Sequence, residues 1–335
     1  MSSTTTVFVS GATGFIAQHI VKELLANGYK VIGSVRSEAK GEELTQSINS
    51  KDFSYVVVPD ISAPGAFDEA LKEHPEVTVF IHAASPVVFQ IIDPKKDVLD
   101  PAIEGTKNVL SAIKQYGTNI TRLVVTSSLA AVTPGKDFDK NKTYTEEDWN
   151  PVTIEIGLSN PAKSYAASKT FAEKAVWDFV KNENPKFKVS TVLPTFVFGP
   201  QAYGIKDKSK LTSLSELLAG IFRSKAGDTY PEITGTLIDV RDVAKAHLVG
   251  FENDDAVNKR LVLVNVPYTP DLVAHTIKKN FPDFQGPDGD LVKSDKLIEE
   301  TVAKINTTKT KEILGFGLTP LETSIIDAYK QFNDA

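Results

Sequence analysis

Short apolar runs rich in β-branched residues alternate with longer helical patterns over the first two-thirds of the chain. "TVFVS" (6–10) predicts a strand, and a helical stretch follows from Gly14 to about Asn27, closed by Gly28. "KVIGSV" (30–35) predicts a second strand and "EAKGEELTQSI" a charged helix. "FSYVVVP" (53–59), "VTVFIHAA" (77–84), "RLVVTSS" (122–128) and "KVSTVLP" (188–194) continue the series. Helical segments separate them near 64–73, up to about Tyr116, and around "SYAASK" (164–169). These runs are continuous rather than alternating in polarity, as in strands buried on both faces of a helix-covered parallel sheet. Strand and helix in turn at this spacing predict a doubly wound α/β fold.

After "FVFGP" (196–200) the rhythm breaks. Residues 201–235 read as a loop and helices, and "RLVLVNV" (260–266) reads as a late strand returning to the sheet. The stretch 268–335 reads as helices and loops, punctuated by Pro270, Pro282, Pro287 and Pro320.

Composition narrows the chemistry. With 335 residues, 41% of them hydrophobic, the chain can bury a substantial core. A net charge of −6 argues against a nucleic-acid binder, which shows a basic stripe. No run approaches the roughly 18 apolar residues that span a bilayer. "MSSTTTVFVS" lacks the basic start and apolar core of a signal peptide, so cytoplasmic residence is the expectation. There is no cysteine, which excludes disulfides and thiolate catalysis. The five histidines are scattered without metal-ligand spacing, so no metal is expected.

Candidate chemistry starts at "SGATGFIA" (10–17), between the first strand and the first helix. The spacing Gly11-x-x-Gly14-x-x-Ala17 suits a tight turn that brings backbone up to a pyrophosphate at a helix N-terminus. Thr13, Phe15 and Ile16 lie in the same turn. A simple strand-to-helix turn has similar glycines, but the position in the first βα unit points to a dinucleotide. After the second strand, "GSVRSEAK" (33–40) has no acid at the strand tip to hold a ribose 2′-OH. Arg36 and Lys40 stand there instead and suit a 2′-phosphate, hence NADP(H), unless they are ordinary solvated residues. Asp60, in "VVPDIS" (57–62), suits the adenine amino group with Ile61 against the ring; the same acid suits a helix N-cap.

Tyr165 and Lys169 are four residues apart and so share one helical face. Such pairs are common on solvated helices. A phenol has a reference pKa near 10, and an adjacent cation favours its ionised form. "VVTSSLAAV" (124–132) places two hydroxyls at the sheet's carboxyl edge, where α/β folds bind ligands. A serine and a tyrosine converging there can polarise a carbonyl and protonate it as hydride arrives.

The set "GATGFIA", "DI", "HAASP", "TSS", "YAASK", "PTFVFGP" and "IDVRDVAKAH" resembles the extended short-chain dehydrogenases/reductases over nearly the whole chain. Within them it is most similar to the fungal NADPH-dependent methylglyoxal and 3-methylbutanal reductases, related to plant dihydroflavonol and cinnamoyl-CoA reductases. The resemblance implies a Rossmann-type domain over 1–198, with 236–266 returning to it. Residues 199–235 and 267–335 would then form a substrate-binding region. It implies a triad of Ser128, Tyr165 and Lys169, leaving Ser127 a packing or backbone-bonding hydroxyl. It places Ala83 and Ser85 over the cofactor's ribose and pyrophosphate, and Pro194 and Val197 along the nicotinamide. A substrate pocket of Val87, Phe89, Leu129, Thr133, Ala162 and Phe196 follows. Val87 and Leu129 stand where fungal relatives tend to carry aromatics, which implies a roomier pocket. In "IDVRDVAKAH" (238–247), Asp239 or Asp242 is expected to cap the next helix. The activity implied is NADPH-dependent reduction of small aldehydes and ketones. Rival expectations are a dihydroflavonol or cinnamoyl-CoA type reductase, a nucleotide-sugar epimerase or dehydratase, and a non-catalytic NADP sensor. Monomer and homodimer stay open.

Overall fold

The structure is a computed structural model and describes residues 5–85, 91–205, 207, 208, 211 and 214–335. The first half runs β1 Thr6–Ser10, α1 Phe15–Ala26, β2 Lys30–Val35, α2 Glu38–Ile48, β3 Phe53–Val57, α3 Asp68–Glu73, β4 Val77–His82, α4 Asp100–Tyr116 and β5 Arg122–Thr126. Then come β6 Thr143–Tyr144, α5 Ile154–Ser159, α6 Pro161–Glu183, β7 Lys188–Pro194, β8 Phe196–Phe198, α7 Leu214–Phe222, β9 Gly235–Asp239 and α8 Val240–Glu252. The chain ends with β10 Arg260–Leu263, β11 Val266–Tyr268, α9 Pro270–Asn280, α10 Leu291–Thr301, β12 Lys304–Ile305, α11 Thr308–Leu314 and α12 Leu321–Asp334.

The main sheet has seven strands in the order β10-β7-β5-β4-β1-β2-β3. Every pairing in it is parallel. Successive residues of β1 serve opposite faces. Val7 and Val9 pack towards α1, α2 and α8, through Ile20, Leu24, Leu44 and Val243. Phe8 packs towards α3, α4 and α6, through Leu71, Leu110 and Val176. That double burial explains the unbroken apolar runs, and each such side chain contributes about 1.5–3 kcal/mol.

The chain leaves β1 towards β2 and β3, then returns to place β4 on β1's other side. The order reverses between β1 and β4, and a crevice at their carboxyl ends is where such sheets take ligands.

The predicted late strand is β10, at the sheet's edge beside β7. Residues 235–239 do something else: β9 pairs with β8 and β11 in a separate three-stranded sheet. That sheet packs with α7, α9 and α12 around Phe198, Leu237, Tyr268, Ile277 and Tyr329. Of the two acids in "IDVRDVAKAH", Asp239 is the cap: it is fully buried and accepts the Arg241 amide at 2.8 Å. It also accepts the Ser324 hydroxyl, while Asp242 takes the Thr319 amide at 2.6 Å, so α8 is latched to the C-terminal helix. No helix among the described residues is long and apolar enough to cross a membrane.

Candidate active site

At the crevice, Gly11 has φ of +67°, a left-handed conformation that glycine tolerates. A Cβ there would lie 2.9 Å from the Cα and Cβ of Ala84, in the loop after β4. The Gly11 amide bonds the Ser34 hydroxyl at 3.0 Å, anchoring the turn to β2. Gly14 then precedes α1, whose first turn has neither a capping side chain nor an acid. Its leading N–H groups are thus left for an anion, and Ala17, 2% exposed, meets the sheet closely.

The loop after β4 is held by one hydroxyl. Ser10 Oγ accepts the amides of Ala83 and Ala84, both at 3.0 Å. Its own proton must then go to His82 Nδ1, 2.8 Å away, which fixes His82 as the neutral Nε2–H tautomer. Burial agrees, lowering His82 to about 3, with the Lys169 charge adding to the effect. Ala84 is thereby held against Gly11, and Ala83 and Ser85 are its neighbours in the chain. Val87 and Phe89 lie outside the described residues.

Two further buried histidines are also structural. His19 bonds the Pro200 carbonyl at 2.9 Å, and burial lowers it to about 4. His247 donates to the Val243 carbonyl and accepts from Thr126, and burial lowers it to about 4 as well. Between pH 6.5 and these values the unfolded chain binds protons that the folded chain refuses. Stability is therefore fully present above pH 6.5 and falls as pH drops, by up to ~1.4 kcal/mol per pH unit for each histidine. Tm measured by thermal denaturation is expected to fall between pH 6.5 and 5; a flat profile would contradict this.

Arg36 follows the end of β2 and is exposed, and no ion pair engages it among the described residues. Its charge helps lower the Asp60 pKa, behind the larger effect of the Ser62 hydroxyl and amide on that carboxylate. Glu38 is the acid nearest the strand tip, and it is occupied: Tyr55 donates to its Oε2 at 2.8 Å. Lys40 stands one turn into α2 and bridges Glu43 at 3.0 Å, an exposed pair of little strength. Thr13, Phe15 and Lys40 line one cleft with Gln201 and Tyr203 across from them. Asp60 is not a helix cap, since α3 begins at Asp68; its Oδ1 takes the Ser62 amide at 2.8 Å in a local turn. Ile61 packs against Gly105, and its carbonyl is held by Asn108 at 2.9 Å.

The remaining groups come from β5 and α6. Ser128 follows the end of β5 in extended backbone and caps a short 3₁₀ turn, accepting the Ala130 amide at 3.2 Å. Its hydroxyl reaches the Pro194 carbonyl only at 3.5 Å, too long to commit the proton. It lies near enough to the Tyr165 phenol to oppose the rise that burial gives the phenol's pKa. α6 starts with Asn160 as cap and Pro161 in its first turn, which sets Tyr165 and Lys169 one turn apart on the inner face. The Lys169 ammonium lies 5.8 Å from the Tyr165 ring centre. Among the described residues it has no hydrogen-bond partner, although the residue is only 6% exposed. Burial lowers Lys169 to about 8, partly offset by Glu173. Burial raises Tyr165, and the Ser128 hydroxyl opposes the rise. The expected fall of the phenol's pKa is thus not seen: desolvation outweighs the opposing Ser128 hydroxyl.

Leu129 is partly exposed in the turn after Ser128, and Thr133 is buried. Ala162 is exposed at the start of α6. Phe196 meets Tyr268 edge-on at 5.4 Å, and Val197 is 6% exposed in the main core. Pro194 ends β7 facing Ser128.

Residues 7–265 match the NAD dependent epimerase/dehydratase family. The chain belongs to that family. This epimerase/dehydratase-family chain is 41% identical to the NADPH-dependent methylglyoxal reductase GRE2 of Saccharomyces cerevisiae, covering 97% of each. The structure of Gre2 from Candida albicans with NADPH superposes with a TM-score of 0.94 at 47% identity, covering 99% of each chain. The yeast methylglyoxal/isovaleraldehyde reductase Gre2 with NADPH gives 0.93 at 40%, covering 98% of each. Within the family, the described residues fit NADPH. The uncapped α1, the unengaged Arg36 guanidinium and the buried, unpartnered Lys169 ammonium each suit an anionic or hydroxyl-bearing part of it.

Three contributors escape a reading of the sequence: the Ser10–His82 clasp, the Glu38–Tyr55 bond, and the buried Glu173 described below. Each joins segments far apart in the chain, so spacing carries no trace of it.

Proposed function

We propose that this protein is a cytoplasmic NADPH-dependent carbonyl reductase acting on small aldehydes and ketones, with methylglyoxal and 3-methylbutanal (isovaleraldehyde) the first candidates. The observation that carries this is the convergence of Ser128, just past the end of β5, with the Tyr165–Lys169 pair of α6 at the ligand-binding edge of the sheet, the hydroxyl near enough to act on the phenol's pKa.

Bound NADPH would supply the hydride. The chain does the rest. The α1 N-terminus and Gly11 receive the pyrophosphate, with Thr13, Phe15, Ile16, Ala83 and Ser85 around it. Arg36 and Lys40 hold the 2′-phosphate, and Asp60 and Ile61 hold the adenine. Pro194 and Val197 flank the nicotinamide. Lys169 bonds ribose hydroxyls and keeps positive charge near the phenol. Ser128 donates to the substrate oxygen, its proton not being committed to the Pro194 carbonyl at 3.5 Å. Tyr165 delivers the proton to that oxygen as the alkoxide develops. Its raised pKa keeps the proton in place until then, which suits reduction. Residues 199–235 and 267–335 form the substrate region, with Leu129, Thr133, Ala162 and Phe196 lining the pocket. The pocket set carries no charge, so uncharged carbonyls are favoured over nucleotide sugars.

The test is loss of NADPH absorbance with methylglyoxal, 3-methylbutanal, aryl ketones and a dihydroflavonol, repeated with NADH. Turnover of the small aldehydes with NADPH is expected. No turnover of any carbonyl, with NADPH still bound, would point to a sensor instead.

A further inference from the structure

Ser128 and the Tyr165–Lys169 pair come from different segments, joined covalently only through the long stretch between them. A buried carboxylate spans the gap. Glu173 is 1% exposed and lies one turn beyond Lys169 on α6. Its Oε2 accepts the Ser127 hydroxyl at 2.7 Å, next to Ser128. Its Oε1 accepts Thr191 of β7 at 2.9 Å and the Trp177 indole at 3.2 Å. Arg260 of β10 donates to both oxygens, at 2.7 and 3.1 Å.

Arg260 is itself fixed. It donates to the carbonyls of Glu146 at 2.9 Å and Asp148 at 2.5 Å, and reaches that of Ala131 at 3.4 Å. Its guanidinium lies 3.8 Å over the Trp149 ring. Glu173 and Arg260 therefore grip both sides of the turn that carries Ser128: Ser127 before it and Ala131 after it. A buried ion pair adds little net stability over an apolar replacement, so stability alone does not account for so complete a network.

We propose that Glu173, held by Arg260, is a positioning residue that sets the Ser128 hydroxyl against the Tyr165–Lys169 face of α6 through its bond to Ser127. This rests on the carbonyl-reductase reading. It is an indirect role, because Glu173 touches neither Tyr165 nor the substrate oxygen. Its negative charge also acts on Lys169 and favours the ammonium. The other titratable groups facing Lys169 are Tyr165 on the same helix and His82 at the end of β4.

Two variants test this, with rates expressed per NADPH-binding site so that misfolded protein does not count. Removing one partner of a buried pair is destabilising, so Glu173→Gln is accompanied by the milder Ser127→Ala. Ser127→Ala is expected to lower kcat about 10-fold through a sub-ångström shift of Ser128, with KM for NADPH within twofold. Glu173→Gln is expected to lower kcat at least as much and to move the alkaline limb of kcat/KM to lower pH. Ser127→Ala should leave that limb in place. A Ser127→Ala kcat per site within twofold of wild type overturns the proposal, as does activity lost only in proportion to NADPH sites. Wild-type protein that binds NADPH but reduces no carbonyl would fail the function proposed above, not this one.

Discussion

Tyr165→Phe is expected to cut kcat/KM for methylglyoxal or any other accepted aldehyde by roughly 10²-fold or more, with NADPH binding unchanged. The substitution removes one oxygen from a partly buried ring and leaves α6 intact, so the loss reports proton delivery rather than folding. Ser128 remains to polarise the carbonyl, and residual activity measures what it does alone. Retention of more than a tenth of wild-type kcat/KM would exclude Tyr165 as the proton donor. The pH profile carries a second signature. Tyr165 is raised by burial, so it holds its proton across neutral pH. Lys169 is lowered to about 8, so its ammonium is lost first as pH rises. Reduction is therefore expected to decline above about pH 8 in the wild type, with the loss belonging to Lys169.

Arg36→Glu should raise KM for NADPH by about 10- to 100-fold and KM for NADH far less. A charge-assisted bond to a phosphate is worth roughly 1.5–3 kcal/mol, and the introduced carboxylate adds repulsion. Lys40 offers limited compensation, because Glu43 already holds it. Steady-state kinetics with both cofactors decide the matter, and equal changes would remove Arg36 from the 2′-phosphate site.

The parallel sheet was legible because burial on both faces leaves an unbroken apolar run, as in "TVFVS" and "KVSTVLP". The three-stranded sheet was not. Its strands Phe196–Phe198 and Val266–Tyr268 are three residues long, and Pro267 sits inside one. Nothing of such length shows a period. That Tyr165 and Lys169 share one helical face was legible because a spacing of four fixes it; the preference for Ser128 over Ser127 came from the family resemblance. The phenol's ionisation was not, since it depends on how deeply neighbouring segments bury it. Glu173 shows the same limit: a glutamate on a long helix reads as solvated until Arg260, 87 residues away, is seen to cover it.

The Glu38–Tyr55 bond bears on redesign. An acid at this point of the fold is what a change to NADH would call for, and the chain already carries one, tied off by a phenol. Stripping Arg36 alone therefore yields an enzyme poor with both cofactors. Conversion starts at Tyr55, whose loss of a hydroxyl sets Glu38 loose, and only then at Arg36. If Arg36 holds the 2′-phosphate, Tyr55 would bear on cofactor choice through the Glu38 carboxylate it bonds.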